Sequence, residues 1–173
     1  MSEKIEFVLD GKTVYADKGQ SIWEVANGQG LKIPHLCHKP KPGYRPDGNC
    51  RACMVEIEGE RTLAASCIRE PQQGMVVNSA SLRAEAARKM VVEMLLTDQP
   101  LREEAHDKSS HFWDMVELSD VQKSRLPRLD QDRVPLLDDS HVAMSVSLDA
   151  CIQCGLCVRA CREVQVNDVI GMS

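Results

Sequence analysis

Eight cysteines of this 173-residue chain fall into two groups of four. The first group has the spacing C-x12-C-x2-C-x13-C and consists of Cys37, Cys50, Cys53 and Cys67. The second has the spacing C-x2-C-x2-C-x3-C and consists of Cys151, Cys154, Cys157 and Cys161. Thiolates are ligands for soft metal ions and for iron–sulfur clusters. Both groups therefore predict metal chemistry.

The first group combines one C-x2-C pair with two isolated cysteines. A tight turn can present the pair from one side while long loops bring the other two, which suits the four thiolates of a [2Fe–2S] cluster. Structural zinc is the main alternative, although zinc ribbons usually present two C-x2-C knuckles. The spacing favours [2Fe–2S] and leaves zinc open.

The second group has the spacing of a bacterial ferredoxin site, which holds a [4Fe–4S] cluster. In two-cluster ferredoxins the fourth cysteine of such a run ligates the other cluster, and a complementary second run does not occur in this sequence. Cys161 could complete a lone cluster, the sequence could continue into a longer polypeptide, or a partner chain could donate the missing ligand. We expect the longer polypeptide.

The composition limits the class of partner and the compartment. The net charge is −5 and the sequence pI is about 5.5, and no Lys/Arg run occurs, so nucleic acid is not expected as a partner. No stretch approaches the roughly 20 apolar residues of a membrane span. Because the sequence shows no secretory signal, we expect a cytoplasmic protein whose cysteines bind metal rather than form disulfides.

The N-terminal region predicts a hairpin followed by a helix. Lys4–Leu9 and Thr13–Ala16 have strand-like composition and flank the turn Asp10-Gly11. Ser21 and Glu24 form a capping box, and glycines end the helix near Gly28.

The loop 33–49 carries the first cysteines, and a second hairpin over 54–65 and a strand over 75–77 complete a β-grasp sheet. We predict an α+β fold in three parts: a β-grasp [2Fe–2S] domain over 1–79, a helix and bridging segment over 80–147, and a ferredoxin-type [4Fe–4S] module over 148–173.

The long helix after Ser79 or Ser81 is predicted to reach about Leu96. Its apolar residues recur at helical spacing and are expected to pack into the core. They are Leu82, Ala86, Met90, Val91, Met94 and Leu95. The polar segment 98–147 is predicted to contain one short helix near 112–118.

The sequences around both cysteine groups resemble a known family. The segments that carry the resemblance are Pro34–Cys37, Asp47–Ile57, Ala65–Cys67 and Cys151–Gln165. They are similar to the iron–sulfur subunits of complex I, NAD-reducing hydrogenases and NAD-dependent formate dehydrogenases. The amino-acid sequences of the two motifs are most similar to those of the alpha subunit of molybdenum- or tungsten-containing, NAD-dependent formate dehydrogenase. Together the segments extend over the whole chain.

The resemblance implies ligand roles for both cysteine groups, with Cys161 serving a neighbouring cluster. It also implies a flavin/NAD-binding diaphorase-type partner and a molybdenum- or tungsten-pterin catalytic domain following residue 173. Many relatives carry a further cluster with one His and three Cys after the long helix, but the sequence 98–102 has no such ligands. We therefore predict that this cluster is absent.

These observations predict an electron relay between a formate-oxidising centre and a flavin/NAD partner. No nucleophile with an adjacent base, P-loop or dinucleotide fingerprint occurs, so no catalytic site is expected within this chain. The alternatives are a zinc-stabilised interaction module without redox activity and a free-standing shuttle ferredoxin.

Overall fold

The computed structural model describes residues 4–128 and 137–171, except for the side chain of Met144. The chain divides into two compact units, one formed by Met1–Arg88 with Gly155–Ser173 and the other by Lys89–Cys154. The first unit is discontinuous in sequence because it combines the N-terminal part of the chain with the C-terminal segment. The predicted boundaries at 79 and 147 stay predictions.

The first unit opens with the predicted hairpin, formed by β1 (Ile5–Leu9) and β2 (Lys12–Ala16). The strands pair antiparallel around Asp10 and Gly11, whose φ angles are 49° and 77°. Positive φ at both central residues is the requirement of a type I′ turn, whose twist matches that of the strands. The turn signal therefore predicts this hairpin correctly.

Helix α1 (Ile22–Gly28) follows and is fixed at its first turn by the predicted capping box. The amide of Ser21 donates to the Glu24 carboxylate at 2.7 Å, and the Glu24 amide donates to the Ser21 hydroxyl at 3.2 Å. Two otherwise unpaired donors are thereby satisfied. The helix buries Ile22, Trp23, Val25 and Ala26.

Three further strands complete a five-stranded sheet: β3 (Met54–Ile57), β4 (Ala64–Ala65) and β5 (Val76–Asn78). The sheet order is β2-β1-β5-β3-β4. It is mixed, because β5 pairs parallel to β1 and antiparallel to β3. The predicted α+β class is confirmed, and hairpin, helix, loop, hairpin and closing strand occur in the order predicted for a β-grasp sheet.

Helix α2 (Leu82–Leu96) has the predicted extent, and the Ala84 amide donates to the Ser81 hydroxyl at its start. The prediction of its buried face is wrong. Leu82 is 86% exposed and Met94 is 56% exposed, whereas Ala84, Arg88, Val92 and Glu93 are buried.

Arg88 explains the orientation of the first half of α2. Its guanidinium donates to the carbonyls of Met54 and Ser79 at 2.8 and 2.7 Å. Two main-chain acceptors therefore hold a charged side chain on the inner face. Apolar periodicity alone does not reveal this, because the deciding contacts come from residues outside the helix.

The second unit contains the predicted short helix, α3 (His111–Leu118), and an unpredicted hairpin of β6 (Leu137–His141) and β7 (Met144–Ser147). The β6 sequence LDDSH is exposed throughout and lacks the β-branched and aromatic residues typical of strands. Composition therefore gave no strand signal. Residues 129–136 of the predicted bridging segment lie outside the described residues.

The last segment forms a 3-10 turn (Leu148–Ala150), helix α4 (Leu156–Arg159) and a π-helical turn (Ala160–Val164). Among the helices that the structure describes, none has the length and apolar composition needed to cross a membrane.

Candidate functional site

The cysteines of the first group are positioned by the sheet and by α1. Cys53 directly precedes β3, and Cys67 comes two residues after β4. The hydroxyl and amide of Ser66 both donate to the Cys53 carbonyl, at 2.8 and 3.1 Å. The Trp23 amide donates to the carbonyl of the same Ser66 at 3.0 Å. The chain segments that carry Cys53 and Cys67 are therefore hydrogen-bonded to each other, and the Cys67 segment is hydrogen-bonded to α1.

The four side chains of the first group are in mutual contact. Hydrogen bonds between sulfurs link Cys50 to Cys37, Cys37 to Cys67, and Cys67 to Cys53. They form one continuous chain of four sulfurs, although 30 positions of sequence separate Cys37 from Cys67. The structure thus brings together all four cysteines that the spacing predicted.

These contacts divide the thiols into two acidic and two weakly acidic groups. The hydrogen bond from Cys50 lowers the pKa of Cys37 to about 2, and the bond from Cys67 lowers the pKa of Cys53 to about 7. Hydrogen bonding to Cys37 raises the pKa of Cys50, and hydrogen bonding to Cys37 and Cys53 raises the pKa of Cys67, because ionisation would remove the proton that each of them donates. Two thiolates are therefore stabilised before any metal binds.

Main-chain amides also point at the sulfurs. The amides of Cys37 and Ala52 lie 3.4 and 3.5 Å from the Cys50 sulfur, and the amides of Asn49 and Cys50 lower the pKa of Cys37. The turn is possible because Arg51 has a φ of 60°. Amide donors of this kind stabilise negative charge on cluster sulfurs and raise the reduction potential.

The donor set and its burial fit a [2Fe–2S] cluster. Cys37, Cys53 and Cys67 are at most 1% exposed, and Cys50 is half-buried. Four thiolates with amide donors and little solvent are the protein contribution that such a cluster needs. Among residues 4–128 and 137–171, no group of three or more His, Cys, Asp or Glu side chains is arranged to hold a single metal ion.

Two histidines and Trp23 cover the Cys37 end of the site. The ring of Trp23 meets His35 and His38 edge to face, at centroid distances of 4.6 and 4.7 Å. His38 is buried, its ring nitrogens have no hydrogen-bond partner among the described residues, and burial lowers its pKa. Burial therefore favours the neutral form of the His38 ring, directly after Cys37, and no spacing in the sequence indicated this packing.

Gly48 is required by packing on the same loop. Its φ is +63°, and a Cβ at this position would lie 2.7 Å from the Cδ1 atom of Ile68. A larger residue would combine backbone strain with a steric clash. The small side chain thus allows the loop before Cys50 to contact the segment after Cys67.

The second cysteine group is divided between the two units. Cys151 and Cys154 belong to the second unit, while Cys157 and Cys161 belong to the first. Each unit therefore holds two of these four cysteines.

Within each unit, the second group shows amide donors to sulfur. The amide of Gln153 lies 3.4 Å from the Cys151 sulfur, and the amide of Val169 lies 3.3 Å from the Cys161 sulfur. Gln153 has a φ of 52° and Gly155 a φ of 71°, so the loop turns sharply between its cysteines. These features fit the turns that a [4Fe–4S] loop requires.

Exposure differs between the two cysteines of the second group that belong to the first unit. Cys157 is exposed and borders a cavity of about 260 Å³ with Lys39, Tyr44, Leu156 and Ala160. Cys161, one helical turn later, is buried. The separate role expected for Cys161 stays a prediction.

Comparison with protein families places this site in a known group. Residues 2–81 match the family described as a 2Fe-2S iron-sulfur cluster binding domain. The match extends over slightly less than half of the chain. The [2Fe–2S] domain therefore contains Cys37, Cys50, Cys53 and Cys67, the four residues whose sulfurs form the connected chain.

Sequence similarity to known proteins extends beyond residues 2–81. The mitochondrial NADH-ubiquinone oxidoreductase 78 kDa subunit of Candida albicans is 33% identical over 97% of this chain and 23% of its own length. The putative formate dehydrogenase YrhE of Bacillus subtilis is 26% identical over 98% of this chain and 17% of its own length. The chain thus spans less than a quarter of either relative.

A solved structure has a similar fold. It is the crystal structure of an NAD⁺-reducing [NiFe]-hydrogenase in the H2-reduced state, with a TM-score of 0.83 and 29% identity. The match extends over 98% of this chain and 71% of that chain. The resemblance to complex I, NAD-reducing hydrogenases and formate dehydrogenases is thereby confirmed.

Proposed function

We propose that this chain is the electron-transfer part of an NAD-linked oxidoreductase, holding a [2Fe–2S] cluster on Cys37, Cys50, Cys53 and Cys67. The observation that carries the proposal is the continuous chain of four cysteine sulfurs, three of them from buried residues, within the range that matches the 2Fe-2S family. When bound, such a cluster accepts and releases one electron at a time. The chain supplies the ligands, the amide donors and the exclusion of water.

We further propose a [4Fe–4S] cluster on the second cysteine group, ligated by Cys151, Cys154 and Cys157. The spacing of the three cysteines and the positive φ angles of Gln153 and Gly155 support it. Cys161 is proposed to serve a neighbouring cluster, and its burial apart from Cys157 supports a separate role.

The proposed partners are a flavin/NAD-binding diaphorase-type subunit and a molybdenum- or tungsten-pterin centre that oxidises formate. Support for the first comes from relatives named as NADH and NAD⁺-linked enzymes, and support for the second from the relative named as a putative formate dehydrogenase. Clustered cysteines more often bind metal in a reducing compartment, so we propose a cytoplasmic location.

The test begins with anaerobic purification and counting of iron, acid-labile sulfide and zinc. Electron paramagnetic resonance after dithionite reduction should show a [2Fe–2S] signal that is lost in Cys53→Ala. Stoichiometric zinc with a silent spectrum would overturn the proposal in favour of a zinc-stabilised interaction module.

The second cluster is tested by its own signal. Cys154→Ala should abolish a [4Fe–4S] signal and leave the [2Fe–2S] signal intact. Cys161→Ala should leave the [4Fe–4S] signal in place, whereas its loss would show that all four cysteines hold one cluster, as in a shuttle ferredoxin.

The proposed electron donor is tested in the natural complex. Formate should reduce the clusters of the isolated complex and NAD⁺ should reoxidise them. Reduction of the clusters by H2 and not by formate would contradict the proposed formate-oxidising partner and favour a hydrogenase partner.

A further inference from the structure

Arg159 is a buried cation that lies between two cysteines of the second group. It is the last residue of α4, two positions after Cys157 and two before Cys161. Only 6% of its side chain is exposed. A buried guanidinium is stable only where its donors meet acceptors, so its partners should be specific.

Those partners all lie on the loop of the first cysteine group. The guanidinium donates to the main-chain carbonyl of Cys37, 122 positions earlier, and to the carbonyl of Arg45 at 2.5 Å. Its Nε atom lies 3.0 Å from a carboxylate oxygen of Asp47. One side chain therefore joins three positions of this loop.

Neighbouring contacts reinforce the connection. Glu163 forms an ion pair with Arg45 at 3.0 Å, and Arg45 forms another with Asp47 at 3.1 Å. A Cβ on Gly43 would lie 3.3 Å from the Val164 side chain. The segment 159–164 is thus packed and paired against the loop 37–48, and all these residues belong to the first unit.

The charge of Arg159 has an electrostatic consequence for the first site. A cation close to a redox centre stabilises the negative charge added on reduction, and shielding by solvent is small for a buried group. Removing the cation would also leave the Asp47 carboxylate with one partner fewer. Both changes make reduction of a cluster at Cys37 less favourable.

We propose that Arg159 is a positioning residue for the [2Fe–2S] centre: from outside the 2–81 domain, it holds the Cys37 loop and raises the reduction potential of the cluster. The inference rests on the proposed ligation of that cluster by Cys37. It adds a connection between the two cysteine groups, because the residue that holds the first loop belongs to the second motif.

The test compares Arg159→Gln with Arg162→Gln. Arg162 carries the same charge three residues later, but its side chain is 57% exposed and pairs with Asp168 at the surface. At a fixed solution potential, Arg159→Gln should lower the ratio of reduced to oxidised [2Fe–2S] cluster about tenfold, which is about 59 mV for one electron. Arg162→Gln should change this ratio much less.

Hydrogen exchange supplies a readout that does not depend on the cluster signal. Amides of residues 37–48 should exchange faster in Arg159→Gln than in the parent chain or in Arg162→Gln. Equal potentials and equal exchange in both variants would overturn the inference.

Arg159→Lys covers the case in which Arg159→Gln does not retain its cluster. Lysine keeps the charge but loses the planar fork that reaches several acceptors, so exchange should rise and the potential should fall below that of the parent by less than about 59 mV. Parent-like exchange and potential in Arg159→Lys would then contradict the positioning role.

Failure of this inference can be separated from failure of the proposed function. If the parent chain shows no [2Fe–2S] signal, the proposed function fails, while the exchange measurement still reports whether Arg159 holds the loop. If the parent shows the signal and Arg159→Gln behaves as Arg162→Gln, only the inference fails.

Discussion

The indole Nε1 of Trp23 donates to the main-chain carbonyl of Ile33 at 3.1 Å. This bond joins α1 to the start of the loop that carries Cys37. Trp23 and Ile33 are each 5% exposed, so water cannot replace the donor. The contact makes the helix part of the cluster site.

Replacing Trp23 by Phe should therefore destabilise the protein. Phenylalanine has no N–H, so the Ile33 carbonyl would keep only the His35 Nδ1 atom at 3.3 Å, and loss of the Trp23 hydrogen bond costs about 0.5–1.5 kcal/mol. Urea denaturation measures the change in unfolding free energy. Tyr15→Phe is the control, because Tyr15 is 55% exposed, and its effect should stay within about 0.5 kcal/mol. Equal effects of the two substitutions would contradict a structural role for the Trp23 bond.

Gly48→Ala should cost more stability than Gly74→Ala. Both glycines have positive φ, +63° and +74°, but a Cβ meets Ile68 only at Gly48 and meets nothing within 4 Å at Gly74. The left-handed conformation alone costs roughly 1–2 kcal/mol for a residue with a Cβ, and this is the loss expected for Gly74→Ala.

The additional cost of Gly48→Ala should disappear when Ile68 is shortened. Measured in an Ile68→Ala background, Gly48→Ala should cost about as much as Gly74→Ala does in the parent chain. A difference that persists without the Ile68 side chain would show that the clash is not its cause.

Substitutions on the buried and exposed faces of α2 should differ in how much stability they cost. Val92 is 1% exposed and Met94 is 56% exposed. Val92→Ala removes two buried methyl groups and should cost about 1–3 kcal/mol. Met94→Ala should change the unfolding free energy by less than about 0.5 kcal/mol. A larger destabilisation by Met94→Ala than by Val92→Ala in thermal or urea denaturation would instead support the buried face predicted from apolar spacing.

The Glu93–Arg125 pair should make stability depend on acid pH. The Arg125 guanidinium donates to both Glu93 oxygens, at 2.8 and 2.7 Å, and holds the pKa of Glu93 below its usual 4.5. A lowered folded-state pKa stabilises the protein above the unfolded-state value, and this contribution is lost as pH falls through the folded-state pKa.

The measurement compares the parent chain with Glu93→Gln in urea at pH 7 and at pH values below 4.5. Glu93→Gln should be less stable at pH 7, and the difference should narrow as the pH falls. Loss of acid-labile sulfide at low pH affects both proteins alike. The difference between their unfolding free energies therefore measures the contribution of the Glu93–Arg125 pair. Glu104→Gln, at an exposed position, should show no such convergence.

Local physics explains what could be predicted before the structure. The Asp10-Gly11 turn and the Ser21–Glu24 capping box depend on residues at most three positions apart, and both form as predicted. The cysteine spacing also predicted the [2Fe–2S] domain, because a cluster draws on a small set of ligand types.

The buried face of α2 could not be read in this way. Arg88 turns inward because the Met54 and Ser79 carbonyls accept its donors, and Glu93 is buried against Arg125. Polar residues can occupy an inner face when partners from other segments satisfy them. Apolar periodicity describes a helix by itself and contains no information on those partners.

By itself, the sequence predicted two groups of cysteine ligands and determined where the first sheet and helix begin, since these depend on residue type and short spacing. Only the tertiary structure decided that Arg159 holds the Cys37 loop, and that Cys157 is exposed where Cys161 is buried. The physical reason is range: a buried charge is placed by acceptors distant in sequence, and no local pattern records which acceptors the folded chain will bring to it.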